Sequence, residues 1–189
     1  MPFVFSNHFV PTADMYDTYL DTARVIGLSS SAGPSLHHYG GQRQFRGQAT
    51  TVKCFEDNSR IQEIACSTPH SDSVLVVDAG GTTRCAVMGD RIAQTAACEN
   101  GWKGVIIFGC VRDVAILRQI SMGVVALGST PRKSTRRGEG QSNLPVQVDG
   151  GVTVQPGDLI FCDEDGILIL NPKDYHATKF SFPDAKQDE

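Results

Sequence analysis

What the chain is short of narrows the reading first. None of its six cysteines, at positions 54, 66, 85, 98, 110 and 162, stands in a C-x-x-C pair, so the usual zinc spacing is missing. At 189 residues the chain is also larger than the small secreted domains that disulfides hold together. Several of these cysteines sit inside apolar segments and read as buried, reduced thiols, which makes a reducing compartment, the cytoplasm, the expected location. Long apolar runs are absent as well. The longest uncharged one, Gly104 to Val111, falls far short of the roughly 20 residues that a bilayer helix needs, and the N-terminal MPFVFSNHFV has no basic region ahead of an apolar stretch. Positive charge is in deficit, with 17 basic residues against 21 acidic ones and a formal net charge of −4. That balance argues against a surface tracking nucleic-acid phosphates or anionic lipid. A small anion at a local positive site is still allowed.

With 40% hydrophobic residues the chain is long enough for one good core and short for two. No internal repeat or linker divides it, so a single domain over residues 1–189 is expected, with a fraying polar tail from about 180. Thr12 reads as the N-cap of an amphipathic helix running to Gly27, with Met15, Tyr19, Ala23 and Ile26 at helical spacing. A serine- and glycine-rich loop follows. Its adjacent His37 and His38 cannot face one metal as residues four apart on a helix would, and they read as solvated. From Phe45 the pattern turns to strands, with a helix from about Ser59 to Cys66 and the apolar run SVLVVD ending at Asp78. A glycine-rich loop, DAGGTTRCAVMGD, leads to a helix over about Arg91 to Glu99, where Gly101 suits a left-handed stop. Strand GVIIFG, a helix around Val114 to Ile120 and strand GVVALG come next. PRKSTRRGEGQSN, with Arg132, Lys133, Arg136 and Arg137, reads first as a solvated basic loop. Short β runs punctuated by Asp-Gly and Pro-Gly turns then lead to a final helix from Pro172. The class is α/β.

Several common sites are excluded by inspection. H-E-x-x-H, G-x-x-x-x-G-K-[ST], G-x-S-x-G and G-x-G-x-x-G do not occur. VLVVDAGG superficially suggests the nucleotide turn of a Rossmann-like methyltransferase, but that turn needs a helix directly after the glycines and an acidic residue ending the next strand. GVIIFG ends without one. The stronger constellation is Gly89-Asp90 at a helix start and Arg112-Asp113 just beyond a strand's carboxyl end, where α/β proteins gather ligands. The amides of Arg91 and Ile92 could grip a carboxylate that Arg112 clamps bidentately. Asp113 could give one oxygen to magnesium or manganese, with Asp90 adding a contact directly or through water. The bland alternative is a surface ion pair beside an ordinary helix cap.

TADMYD (12–17), GQATTVKCFEDN (47–58), VLVVDAGG, GDRIA, ENGWKGVIIFGCVRDV, ALGSTPRKS and PGDLIFCDEDGILI, taken in order, resemble the RraA-like family over nearly the whole chain. That family includes the regulator of ribonuclease E activity A and the class II 4-hydroxy-4-methyl-2-oxoglutarate aldolases. The resemblance implies a swivelling β/β/α domain assembled as a trimeric ring, with pairing of rings into hexamers left open and active sites near subunit interfaces. It implies a divalent-metal-dependent lyase that cleaves pyruvate-containing keto acids or decarboxylates oxaloacetate. Arg112 would then bind the pyruvate carboxylate and Asp113 the metal, while Gly89, Asp90, Arg91 and Ile92 form the loop contacting substrate. Members acting only on ribonucleases can lack the aspartate after the arginine, and this chain keeps it. The alternative is a non-catalytic module that regulates a ribonuclease or helicase, in which case the basic run could mark the contact or frame the anion site. One departure concerns spacing: Asp90 and Arg112 are 22 positions apart (112 − 90), one more than the family pattern, and a longer helix end near Cys98 and Glu99 is expected to absorb it. The acidic residue that the aldolases take from a neighbouring subunit has no secure match; Glu164 and Asp165 read as a turn.

Overall fold

The computed structural model of the chain describes residues 5, 8–29, 35–67, 70–149 and 151–176. In chain order the elements are α1 (Thr12–Thr18), β1 (Arg24–Gly27), β2 (His37–His38), β3 (Phe45–Lys53), α2 (Ser59–Ser67), β4 (Ser73–Asp78), β5 (Ala86–Met88), α3 (Asp90–Cys98), β6 (Gly104–Val111), α4 (Val114–Leu117), β7 (Gly123–Ser129), β8 (Gln141–Ser142), β9 (Val146–Val148), β10 (Val152–Val154), β11 (Leu159–Cys162) and β12 (Gly166–Leu170). The main sheet runs β1-β12-β11-β3-β4-β6-β7-β2, with β5 on β6 and β8 on β3. Its centre, β3-β4-β6-β7, is parallel and is crossed over by α2, α3 and α4. A parallel strand needs such a crossover, which places helices on a sheet face.

Both faces of that centre are covered, which explains why SVLVVD and GVIIFG read as continuous apolar runs instead of alternating. Leu75, Val77, Val105, Ile107, Val124 and Ala126 share a cluster with Ile61 and Ala65 of α2 and Ile92, Ala93 and Ala96 of α3. The intervening residues, Val74, Val76, Ile106 and Val125, meet Val146, Val148 and Val154 of the β9-β10 ribbon together with Ile160 and Ile169. In β11 and β12 the alternate set, Leu159, Phe161, Leu168 and Leu170, turns to Met15 and Tyr19 of α1. The result is the expected β/β/α arrangement. Truncating one of its fully buried residues, Leu75 or Ile107, removes roughly 2–5 kcal/mol.

Four local expectations are corrected. The first helix ends at Thr18, and Arg24–Gly27 is a strand antiparallel to β12. Ile26 is buried with exposed neighbours, a strand pattern that happens to coincide with helical spacing from Tyr19. Thr12 does not cap α1: its amide and hydroxyl bind the buried Asp163 carboxylate at 2.7 and 2.6 Å, and Pro11 holds the cap position. His37 and His38 form β2 against β7, and His38 Nε2 lies 2.9 Å from the Asp163 carbonyl. Pro172 opens a turn, with the Asp174 amide donating to the Asn171 carbonyl, and the remainder of the expected final helix and the tail lie outside the described residues. The basic run borders the site described below. No helix among the described residues is long and apolar enough to cross a membrane.

Candidate active site

β5 and β6 are parallel neighbours, so their carboxyl ends emerge side by side and bring Gly89-Asp90 against Arg112-Asp113. The Arg112 amide donates to the Met88 carbonyl at 3.0 Å and ties the two exits together. Asp113 then turns the chain from strand into α4 with φ 59° and ψ 39°, a left-handed conformation uncommon outside glycine. Strained backbone of this kind tends to gather at functional positions. Its carboxylate folds back: Oδ2 lies 3.2 Å from Arg112 Nε and accepts the Asp90 amide at 3.4 Å. Gly89 makes that fold possible. Its backbone is extended, so conformation alone would admit any residue, but a Cβ there would sit 2.5 Å from Asp113 Oδ2 and 3.0 Å from Arg112 Cγ.

Asp90 lies in the first turn of α3, where negative charge is favoured, and its Oδ1 accepts the Arg91 amide at 2.7 Å. The Arg91 amide, expected to grip a ligand, is thus occupied by Asp90's own carboxylate. With Nε engaged by Asp113, the terminal nitrogens of Arg112 form the edge that a carboxylate can chelate. The end of α3 is a widened turn. Glu99 and Asn100 both donate to the Thr95 carbonyl, and the Trp102 amide reaches back to Ala96, one residue further than a glycine-terminated helix ordinarily closes. Gly101, at φ +73°, completes the stop.

The facing wall is the basic run: its Arg132, Lys133, Arg136 and Arg137 are exposed, as expected of a solvated stretch, while its backbone is tied down as an ordered strap. The Ala86 amide donates to the Arg132 carbonyl at 2.7 Å and Ser134 returns the bond to Ala86 at 3.1 Å. Thr135 and Asn58 exchange backbone bonds with the 56–58 segment and the strap: Thr135 N–H to Glu56 O at 2.8 Å, Asn58 N–H to Thr135 O at 3.1 Å. Asp57, with no exposed surface, is the anchor. Its carboxylate accepts the Ser59 amide at 2.9 Å, the Thr135 hydroxyl at 3.0 Å and the Arg137 amide at 2.5 Å. Burial pushes this carboxyl up, yet the hydrogen bonds outweigh it and bring the pKa down to about 2. Beside it, Glu56 accepts from Arg84 Nε at 2.6 Å and the Thr82 hydroxyl at 2.9 Å, and the Arg84 bond foremost holds its carboxyl below the ordinary value. Both acids escaped the sequence reading. Asp57 two residues before a helix is a recognisable capping position, but nothing local reveals a partner at 135 or 137.

Between the walls is a cleft of about 630 Å³ lined by the 88–92 turn, Arg112, Asn58 and residues 133–137. Arg91, Arg112, Lys133, Arg136 and Arg137 face it with Asp90 as the one lining carboxylate. An anion is the complementary guest. Among the described residues no group of three or more His, Cys, Asp or Glu side chains could hold a metal. A magnesium-like ion asks less, since it commonly takes one or two carboxylates and keeps its waters, and Asp113 and Asp90 are the carboxylates here that could supply them. Glu164 and Asp165 do not line the cleft; the Asp165 amide donates to Asp163 Oδ1 at 3.0 Å in the expected turn. All six cysteines are free thiols, four of them buried, and burial pushes Cys54 up to about 12.

The fold is that of a β/β/α protein of the α/β class, with an arginine-aspartate pair at the shared exit of two parallel strands beside a cationic cleft. The chain belongs to the RraA-like family: the family model described as Aldolase/RraA matches residues 12–169. It is 47% identical over 162 residues to a Halorhodospira halophila protein named "Putative 4-hydroxy-4-methyl-2-oxoglutarate aldolase", covering 85% of this chain and 94% of that one. A Pseudomonas syringae protein of the same name is 44% identical, covering 86% and 94%. Among solved structures, the RNA-processing inhibitor RraA from Thermus thermophilis superposes with a TM-score of 0.79 at 35% identity, covering 86% and 93%. A Geobacillus kaustophilus structure named as an S-adenosylmethionine:2-dimethylmenaquinone methyltransferase gives 0.78 at 41% identity, covering 86% and 95%. In the present chain the glycines after β4 lead into β5 and not into a helix, so the Rossmann nucleotide turn is not formed.

Proposed function

We propose that the chain is a divalent-cation-dependent carbon–carbon lyase acting on pyruvate-containing 2-keto acids, as a 4-hydroxy-4-methyl-2-oxoglutarate aldolase or oxaloacetate decarboxylase does. The observation that carries this reading is the Arg112-Asp113 pair folded over Gly89 at the edge of a cationic cleft. The names of the relatives support the aldolase class. Asp113, with Asp90 adjacent, would hold the cation, which when bound supplies Lewis acidity at the keto oxygen. Arg112 binds the carboxylate of the pyruvate half and fixes the keto acid's orientation. When the bond between C3 and C4, one carbon removed from the keto group, breaks, its electron pair forms the C2–C3 double bond of the enolate, and the nearby guanidinium offsets the negative charge that develops on the keto oxygen. Aldol cleavage also requires loss of the 4-hydroxyl proton as the second carbonyl forms. Asp90 is placed to accept it, directly or through a water. Oxaloacetate loses carbon dioxide and needs no such base.

The test is a coupled pyruvate assay on oxaloacetate and 4-hydroxy-4-methyl-2-oxoglutarate, with magnesium or manganese and with a chelator. Metal-dependent release that Asp113→Ala abolishes is the expected outcome; release that survives the substitution overturns the assignment. A ring trimer belongs to the same reading, and light scattering should give three times the chain's 20.4 kDa. The RraA structural neighbour favours a second reading, regulation of a ribonuclease or helicase through direct contact. Charge reversals along Arg132 to Arg137 separate the two: partner binding lost with pyruvate release intact favours the regulator.

A further inference from the structure

The cleft is larger and more cationic than the pyruvate end of a substrate requires. Arg112 alone can chelate one carboxylate, yet Lys133, Arg136 and Arg137 also line the cleft, and among the described residues no carboxylate lies within ion-pairing distance of any of the three. A second feature is independent of charge. Asn58 and Ser134 line the same cleft, each is only 9% exposed, and each carries a buried side-chain oxygen, Oδ1 and Oγ, without a hydrogen-bond partner among the described residues. Leaving such a group unpaired costs about 1–3 kcal/mol, a cost that a bound ligand can remove. The position of Ser134 is fixed, because its backbone is pinned to Ala86 and the next residue to Glu56. A serine hydroxyl can donate to an anion, and an asparagine amide presents a donor or an acceptor according to which way it is turned.

We propose that the strap forms a second anion subsite, in which Ser134 and Asn58 with the Lys133 and Arg136 cations hold the distal carboxylate of a dicarboxylic 2-keto acid whose 1-carboxylate sits on Arg112. The proposal rests on the lyase reading for the identity of the first half of the substrate. It also orders the two reactions. A cation on a distal carboxylate that stays attached to the leaving half strengthens binding. The same cation on oxaloacetate's 4-carboxylate holds charge on the group that must lose it and disfavours decarboxylation. Aldol cleavage of a hydroxylated diacid is therefore the chemistry that this subsite serves.

Calorimetric titration of the full chain, in magnesium, with 2-oxoglutarate and with 2-oxobutyrate tests it without turnover, since the acids differ mainly by the distal carboxylate. The wild-type chain should bind 2-oxoglutarate at least about tenfold more tightly, and Ser134→Ala and Arg136→Gln should each erase most of that preference. Ser134→Ala should not lower the melting temperature, because it deletes an unpaired buried hydroxyl; a serine with a purely structural role would show the reverse. Equal affinity for the two acids, a preference surviving both substitutions, or no binding of either overturns the subsite. Pyruvate release by the wild-type chain is followed in parallel. Release without a diacid preference defeats the subsite alone, and a diacid preference without release defeats the lyase reading alone.

Discussion

The wall of the cleft that carries Arg112 and Asp113 is made of two turns at the ends of adjacent strands, and its internal contact from the Asp90 amide to Asp113 joins residues 23 positions apart. The strap opposite hangs on Asp57 and Glu56, with the Arg137 amide reaching Asp57 across 80 positions. The first wall spends its polar groups on positioning two side chains within 3.2 Å of each other in a half-exposed site. The second spends a fully buried carboxylate on holding backbone, which leaves its own cations without acidic partners. On the proposed reading, the difference separates chemistry from recognition. Damage to the first wall should cost activity with little stability, whereas damage to the strap's anchor should cost stability first.

The largest effect that would test this contrast is Asp113→Ala, expected to lower pyruvate release by about a thousandfold or more with the urea midpoint nearly unchanged, because one placed electrostatic group can carry that much of a barrier. Arg112→Lys and Gly89→Ala come next, each expected to cost about a hundredfold in kcat/KM. Lysine cannot chelate a carboxylate from two parallel donors, and an alanine methyl would strike Asp113 Oδ2 from 2.5 Å. Asp57→Asn should do the opposite and destabilise the chain by about 2 kcal/mol in urea unfolding, since it weakens a buried, charge-assisted network. Acid should act on the same group. Because the folded-state pKa is depressed from 3.8 to about 2, its stabilisation is present above pH 3.8 and is lost as pH falls towards 2. A urea midpoint that stays flat across that window would break the contrast. The smallest effect is reserved for Glu56→Gln, whose partner Arg84 is two-thirds exposed; no measurable change in melting temperature is expected.

Much of the fold was legible because periodicity is local. The buried parallel strands, α2, α3 and the left-handed Gly101 stop stand close to where apolar spacing and turn residues place them. The failures have a common cause. Ile26 fits a helix drawn from Tyr19, and only the pairing of β1 with β12 shows it to be a strand residue. Thr12 has the chemistry of a cap, but the buried Asp163 far along the chain claims both its donors. Of the site, Gly89, Asp90, Arg112 and Asp113 were legible as turn residues at a helix start and beyond a strand end. The occupation of the Arg91 amide by Asp90 was not, because a free amide and an occupied one have the same sequence.

The scarcity of positive charge that opened the sequence reading still holds for the chain as a whole. By itself the sequence determined a cored α/β chain, the family to which it belongs, and an arginine and aspartate adjacent to each other beyond an apolar strand. Only the tertiary structure decided that Lys133, Arg136 and Arg137 would line the cleft beside that pair. Hydrogen bonds from Asp57 and β5 fold the strap back across the cleft, and a field that is negligible in the sum of charges becomes large where folding gathers them in one place.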